Sequence, residues 1–167
     1  VLGVIAVADT VKPSSAAAIA DLKRMGIDVT MLTGDNRCTA EAIRRQLDIP
    51  HVIAEVLPQE KEQHVAALQQ QGKTVAMVGD GINDSPALSC ADVSVSMKDS
   101  SDIAREVADI SLLSSSLAEL VVLRELSCAV LEKIERNYRF IVGFNSSLIL
   151  LGMFGLITPA FSAFLHN

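Results

Sequence analysis

Charged side chains are missing from the last part of this chain. The 167 residues include 14 Lys and Arg and 20 Asp and Glu, yet none of these lies between Phe140 and Asn167. As a helix with a rise of about 1.5 Å per residue, residues 140–157 would be about 27 Å long, close to the roughly 30 Å hydrocarbon core of a bilayer. The absence of charge therefore predicts a transmembrane helix over residues 140–158.

The flanks of this apolar stretch predict its orientation. Basic residues precede it, the last being Arg139, and positive charge favours the cytoplasmic side of a membrane. We therefore expect a multi-pass protein of the plasma membrane with residues 1–139 in the cytoplasm. Pro159 would end the helix, and residues 159–167 would begin a second one. A buried core helix is the alternative, but so small a chain has no second apolar segment to cover it.

Paired cysteines and an excess of positive charge are also lacking. Cys38, Cys90 and Cys128 lie far apart without CxxC spacing, which argues for reduced thiols and against a zinc site. The formal net charge of −6 argues against a nucleic-acid partner, because nucleic acids are bound by basic surfaces. The chain starts without Met, in what reads as a strand, so we expect a fragment of a longer protein.

Short β-rich runs alternate with helical patterns over residues 1–115. This alternation predicts an α/β fold, with a parallel sheet covered by helices on both faces. Strands are predicted over residues 3–8, 27–32, 51–54, 74–78, 93–96 and 110–113, and helices over residues 13–25, 39–47, 59–71 and 102–107. From Leu117, apolar residues recur every three or four positions, which predicts an amphipathic helix over residues 116–139.

Ligands of such sheets bind beyond the carboxyl ends of the strands, and one motif there is Thr33-Gly34-Asp35. It offers a hydroxyl and backbone N–H groups to an anion such as phosphate. An ordinary strand-to-helix turn, with Asp35 or Asn36 as the helix cap, is the alternative. Lys61 follows another strand and could offset phosphoryl charge, although a solvated surface lysine would give the same pattern.

The third motif runs from Gly79 to Asp84. Gly79 and Gly81 allow close approach of the backbone to a ligand, while Asp80 and Asp84 supply oxygen ligands suited to Mg²⁺. Two carboxylates this close repel each other unless a cation lies between them. An Asx-rich loop without function is the alternative, but three such motifs at strand ends favour a phosphoryl site.

Together these motifs resemble those of haloacid-dehalogenase-type phosphotransferases, in the form found in P-type cation-transporting ATPases. The resemblance rests on Thr33-Gly34-Asp35, on Lys61 and on the string GDGINDSPAL at residues 79–88. The stretch DTVKP at residues 9–13 is similar to the segment that re-enters the phosphorylation domain of these pumps. The heavy-metal branch fits best, because its last two membrane helices directly follow this domain.

The resemblance implies a Rossmann-like fold and a role for each site residue. Residues 1–115 would be the C-terminal part of the phosphorylation domain, and residues 116–139 a stalk helix. Thr33 and Lys61 would contact the phosphoryl group, with Gly34 in the same catalytic turn. Asp35 and Asn83 would orient the pocket, and Asp80 would bind Mg²⁺ with support from Asp84. ATP would be the substrate, bound through parts of the pump beyond this chain.

The chain departs from the family in one respect. The family's nucleophile lies in a DKTGT string, which is absent here, and Asp9 in DTVK does not match that motif. We therefore expect no nucleophile in this chain and no ATP turnover by the chain alone. The resemblance implies the remainder of a pump as partner: an actuator, a nucleotide-binding domain and further membrane helices within the lipid bilayer.

The cargo would be a transition-metal cation, with Asn145 and His166 as candidate ligands in the tail. Two alternatives to a pump fragment stay open. A soluble haloacid-dehalogenase-type phosphatase shares the motifs but needs an N-terminal DxD nucleophile and does not explain the uncharged tail. A non-catalytic truncation that binds Mg²⁺ or serves as a partner module is the other.

Overall fold

Two stretches of the chain, residues 11–79 and 82–155, are described by a computed structural model. The strand predicted over residues 3–8 lies outside the described residues. Asp9, Asp80 and Gly81 lie outside them as well.

Strands and helices alternate along the described residues, as the sequence predicts. The strands are β1 (Thr30–Leu32), β2 (His51–Ile53), β3 (Ala76–Gly79), β4 (Val93–Ser96) and β5 (Ile110–Ser111). The helices are α1 (Pro13–Arg24), α2 (Arg37–Leu47), α3 (Pro58–Gln70), α4 (Ser85–Cys90), α5 (Asp102–Val107) and α6 (Ala118–Met153). A 3-10 turn, Ile82–Asp84, comes directly before α4. The predicted α/β class with parallel strands is confirmed.

The described strands form two parallel sheets, where the alternation predicted one. β1 pairs with β2, with Thr30 opposite His51. β3, β4 and β5 form the second sheet in that order, and Gly79 lies opposite Ser96 at the end of the β3–β4 ladder. Each pair of neighbours is linked through a helix, as parallel strands require. Within the described residues, no ladder joins the two sheets.

Local chemistry sets the ends of the helices. Pro13 and Pro58 lie in the first turns of α1 and α3, where a missing N–H is tolerated. The Asn36 side chain caps α2 by accepting a hydrogen bond from the backbone N–H three residues later (3.0 Å). After α1 and α3, Gly26 and Gly72 have φ angles of +79° and +78°, which glycine adopts without steric strain. α1 and α3 thus end within one residue of the helices predicted over residues 13–25 and 59–71.

The apolar core near α1 consists of two clusters. One contains Ala18, Leu22 and Val121, and the other contains Ile19, Leu47 and Ile49. The α1 members fall on one face of the helix because residues three or four apart lie on the same side. Burial of each large side chain contributes roughly 1.5–3 kcal/mol relative to exposure. These contacts hold α1, α2 and the start of α6 around β1.

A carboxylate fixes the start of β4. Asp109 Oδ2 accepts hydrogen bonds from the backbone N–H of Ser94 (2.9 Å) and from its hydroxyl (2.8 Å). These bonds hold the pKa of Asp109 below its ordinary value, the backbone N–H having the larger effect. Ser94 is only 2% exposed, so Asp109 rather than water accepts the hydrogen bonds of its backbone N–H and hydroxyl.

The chain divides into two compact units, Val1–Val121 and Val122–Asn167. In the described part of the second unit, α6 continues without a break to Met153, across the predicted boundary between a stalk helix and a membrane helix. Most of its large apolar side chains are exposed, although Leu148 is buried, and the rings of Phe140 and Phe144 stack with centroids 5.9 Å apart.

Among the described residues, every helix falls short of the length or apolar character needed to cross a membrane. The apolar run of α6 shares the helix with Arg136 and Arg139, and the described residues end at Gly155. The transmembrane helix predicted over residues 140–158 is therefore unsupported there. The segment predicted over residues 159–167 lies outside the described residues.

Candidate functional site

The turn after β1 is closed by its own side chains. The Thr33 hydroxyl donates to Asp35 Oδ2 (2.9 Å) and accepts from the Asp35 backbone N–H (3.1 Å). Asn36 follows as the cap of α2, so the turn leads straight into a helix N-terminus. The turn is solvent-accessible, as a site that receives a ligand must be.

The segment after β2 holds this turn in place. Backbone N–H groups of Glu55 and Val56 donate to the carbonyls of Asp35 (2.9 Å) and Thr33 (3.1 Å). Glu55 has a φ of +60°, an uncommon conformation for a residue with a side chain. At Gly34, an added Cβ would lie 3.4 Å from the Val56 carbonyl oxygen, so the two backbones are in close contact. α3 begins directly after this segment.

Lys61, in the first turn of α3, forms an ion pair with Asp84. Its Nζ lies 2.6 Å from Asp84 Oδ1, and the two side chains are only 16% and 12% exposed. Nearby, the Glu60 carboxylate accepts from the backbone N–H of Leu57 (2.9 Å) and fixes the start of α3. The pair links α3 to the turn before α4, and a charge pair with so little exposure is screened weakly by solvent.

Gly79, at the end of β3, packs against the same carboxylate. A Cβ built on Gly79 would lie 2.9 Å from Asp84 Cβ and 3.3 Å from Asp84 Oδ2. The approach is too close for any side chain at position 79. Asp84 Oδ1 is paired with Lys61, and Oδ2 is the oxygen that faces the end of β3.

These contacts bring most of the predicted site residues into one connected region of the first unit. The Thr33–Asp35 turn is hydrogen-bonded to residues 55–56, which lead along the chain into α3, and Lys61 of α3 contacts Asp84, which packs against Gly79. Asn83 is exposed beside Asp84 in the 3-10 turn.

Three predicted site residues are not part of this region as described. Asp80 lies outside the described residues, and so does His166 in the tail. Asn145 lies in α6, in the second unit, where it is half-buried.

The sequence did not predict a role for two residues of this region, Glu55 and Ser100. Glu55 carries the left-handed turn that holds Thr33, and its carboxylate accepts from the backbone N–H of Arg37 (3.5 Å). Ser100 is buried below the end of β3, where its hydroxyl donates to the Gly79 carbonyl (3.2 Å). No periodicity marks either position, because both contacts depend on tertiary structure.

The oxygen atoms near the end of β3 are of the types that bind Mg²⁺ when water or phosphate supplies its remaining ligands. Among the described residues, no group of three or more His, Cys, Asp and Glu could hold a metal ion. Asp84 Oδ2 lies against the end of β3, and Asn83 adjoins Asp84 in the 3-10 turn. Mg²⁺ is commonly bound through one or two carboxylates, with waters and phosphate oxygens completing the octahedron, and such a set requires no full protein cage.

Comparison with known proteins identifies the family. Residues 1–92 match the family model of haloacid dehalogenase-like hydrolases. The chain belongs to this family.

Two curated relatives and one solved structure indicate the branch. The chain is 45% identical over 157 residues to a copper-exporting P-type ATPase of Bacillus subtilis, covering 94% of this chain and 20% of that protein. It is 47% identical over 161 residues to a probable copper-importing P-type ATPase A of Enterococcus hirae, covering 95% and 22%. A crystal structure of a zinc-transporting PIB-type ATPase in the E2.Pi state superposes with a TM-score of 0.87 and 34% identity, covering 92% of this chain and 25% of that one.

The predicted resemblance to heavy-metal P-type ATPases is confirmed by these matches. The chain spans about a fifth of the length of the curated copper ATPases that it matches. Within the haloacid dehalogenase-like family, its similarity is thus to part of these metal pumps.

Proposed function

We propose that the chain is the C-terminal part of an ATP-driven heavy-metal pump and contributes the phosphoryl-handling half of its catalytic site. The observation that carries this proposal is the Lys61–Asp84 ion pair at 2.6 Å. It lies against the end of β3, and the Thr33–Asp35 turn is hydrogen-bonded to residues 55–56, which lead into the helix that carries Lys61. A cation, a carboxylate and an anion-receiving turn are the elements that phosphoryl transfer needs.

Each side chain has a distinct task in this proposal. Thr33 and the N–H groups of its turn bind oxygens of the phosphoryl group, and Asp35 and Gly34 keep that turn in shape. Lys61 neutralises phosphoryl charge and is itself held in place by Asp84. Such preorganised groups lower the barrier because they need little rearrangement when the reaction occurs.

Mg²⁺ would be held by Asp80, with Asp84 and Asn83 beside it, and would supply neutralisation of phosphate charge. ATP would be bound by parts of the pump that precede this chain. They would also supply the aspartate that is phosphorylated, because no DKTGT string occurs among these residues. The chain alone would then bind Mg²⁺ without turning over ATP.

The cargo is a transition-metal cation in this proposal, since the relatives are named as copper and zinc pumps. Residues 1–115 would form the C-terminal part of the phosphorylation domain and residues 116–139 a stalk. Residues 140–158 and 159–167 would enter the lipid bilayer, with Asn145 and His166 as candidate ligands of the metal. The residues before position 140 would face the cytoplasm.

The test uses the longer pump that contains this chain. Phosphoenzyme formed from radiolabelled ATP should depend on Mg²⁺, and its formation or decay should be abolished by Asp80→Asn and by Asp84→Asn. Asp28→Asn is the matched control, because Asp28 precedes β1 at the opposite end of the strand and should leave the phosphoenzyme intact. Normal phosphorylation and decay in the Asp80 and Asp84 variants would refute the assignment.

A phosphatase is the second candidate, since the matching family model describes a hydrolase. The purified chain, given para-nitrophenyl phosphate or acetyl phosphate with Mg²⁺, decides between the two. Turnover that disappears in Asp80→Ala would favour the phosphatase, whereas no turnover by a folded chain supports the pump fragment.

A further inference from the structure

Glu55 has a backbone conformation that residues with a side chain rarely adopt. Its φ angle of +60° lies in the left-handed region, where a side chain is strained and glycine is not. Strained residues persist where the surrounding structure fixes them, and they cluster at functional sites. Glu55 lies two residues after β2. A glutamate at a position that suits glycine points to a role for its side chain.

Three hydrogen bonds connect this segment to the turn after β1 and to the helix beyond it. The backbone N–H groups of Glu55 and Val56 donate to the carbonyls of Asp35 (2.9 Å) and Thr33 (3.1 Å). The Glu55 carboxylate accepts from the backbone N–H of Arg37 (3.5 Å). The main chain of the segment thus holds the turn, and the Glu55 side chain holds the first residue of α2.

The carboxylate lies where the N-terminus of α2 needs a partner. The first four N–H groups of a helix have no partner within it, and the helix dipole favours a negative charge at this end. The Asn36 side chain takes the N–H of Thr39 (3.0 Å), and Glu55 takes that of Arg37. The glutamate therefore links the strained residue to the start of the helix that follows the turn.

We propose that Glu55 is a positioning residue for the binding of the phosphoryl group at Thr33. Its carboxylate anchors residue 55 to the start of α2, and its N–H keeps the main chain of the Thr33–Asp35 turn aligned with the phosphoryl oxygens. The inference rests on the proposed function and deepens it, because it names what holds the phosphate-binding turn. Glu55 touches no ligand in this scheme and acts only through Asp35 and Arg37.

The experiment measures the phosphate requirement of the intact pump at a fixed Mg²⁺ concentration. Phosphorylation by radiolabelled inorganic phosphate is followed against phosphate concentration. Glu55→Gly relieves the strained φ but removes the carboxylate. It should raise the half-saturating phosphate concentration by about three- to tenfold, the range that corresponds to loss of one net hydrogen bond. Glu55→Gln keeps an oxygen acceptor for Arg37 and should stay within about twofold of the unaltered pump.

Asp48→Gly is the matched control. In the described part of the chain, Asp48 is the other residue with a side chain and a positive φ (+52°), and it lies at the opposite end of α2. Its carboxylate is paired with Lys23. Asp48→Gly relieves the same kind of strain and removes a carboxylate, yet it should leave the phosphate curve unchanged. Equal shifts in Asp48→Gly and Glu55→Gly would indicate a general effect of glycine and overturn the inference.

A second readout does not depend on activity. Hydrogen exchange of the peptide that contains Asp35 and Arg37, measured by mass spectrometry without phosphate, should be faster in Glu55→Gly and normal in Glu55→Gln. The urea midpoint of the purified chain should stay the same or rise in Glu55→Gly, because the strained φ is relieved. A lower midpoint together with an unchanged phosphate curve would refute the positioning role, since the side chain would then serve stability alone.

Thr33→Ala separates this inference from the proposed function. An unchanged phosphate curve in Thr33→Ala would refute the proposed function itself. Weakened phosphorylation in Thr33→Ala, together with an unchanged curve in Glu55→Gly, would refute only the role of Glu55. If Glu55→Gly does not fold, Glu55→Asn is measured with the same expected direction, because asparagine tolerates a left-handed backbone and its side chain is one methylene shorter.

Discussion

Replacing Lys61 by methionine tests the electrostatic basis of the site. At 2.6 Å and an effective dielectric constant of about 20, the attraction between the two charges is roughly 6 kcal/mol before desolvation is subtracted. Removing one partner of a buried pair typically destabilises a protein by about 3–5 kcal/mol, because the other charge is left uncompensated. Since the side chains are 16% and 12% exposed, we expect a loss near the lower end, about 3 kcal/mol.

The assay is urea unfolding of the purified chain, followed by circular dichroism. Lys61→Met, Asp84→Asn and the double variant form a double-mutant cycle. The double variant should be about 2 kcal/mol more stable than the sum of the single losses predicts, because it leaves neither charge unpaired.

Lys73→Met provides the matched control. Lys73 Nζ lies 3.5 Å from Asp28 and both side chains are about half exposed (51% and 50%), so the loss should stay below about 1 kcal/mol. Additive losses in the Lys61–Asp84 cycle, or equal effects of the two lysine replacements, would refute the reasoning.

Three further predictions concern single side chains in the first unit. Gly79→Ala should destabilise the chain by about 1–3 kcal/mol through overpacking, since its Cβ would lie 2.9 Å from Asp84 Cβ; an unchanged melting temperature would show that the turn has room. Asn36→Ala should cost about 1 kcal/mol by removing the cap of α2, and Asn36→Asp should retain it; equal urea midpoints for both variants would contradict this. Hydrogen bonds from Ser94 lower the pKa of Asp109. The stabilisation that the ionised Asp109 side chain gives to the folded chain is therefore complete above the unfolded pKa of about 3.9. It is lost as the pH falls through the lower folded pKa. The difference in free energy of unfolding between the unaltered chain and Asp109→Asn should thus shrink as the pH is lowered from about 5 to about 2. A constant difference would contradict this prediction.

Periodicity predicted much of the fold because these elements are locally determined. β4 matches its predicted span because Val and Ser alternate there, and α5 matches because Ser101 caps it. The sequence did not predict α4, since Ser85-Pro86 is equally typical of a turn. It also did not predict that the strands within residues 11–79 and 82–155 pair in two groups, because which strands pair depends on packing between distant segments.

The candidate residues could be named from the sequence, but their contacts could not. The structure places Thr33 directly after β1, Lys61 in the first turn of α3 and Asp84 in the 3-10 turn that follows β3. That Asp84 would pair with Lys61 could not be read from spacing, because a 23-residue separation has no periodic meaning. Ser100 gave no signal, since a serine pair after a strand is typical of an exposed turn.

The short span between paired strands has a consequence for local unfolding. Thr30 pairs with His51, and Ala76 pairs with Val93, so the contacts of each pair are local in sequence and can re-form quickly after a local opening. Amide exchange from β1 and β2 would then report the opening of the segment that carries the threonine turn. Exchange from β3 would report the opening of the strand that ends at Gly79.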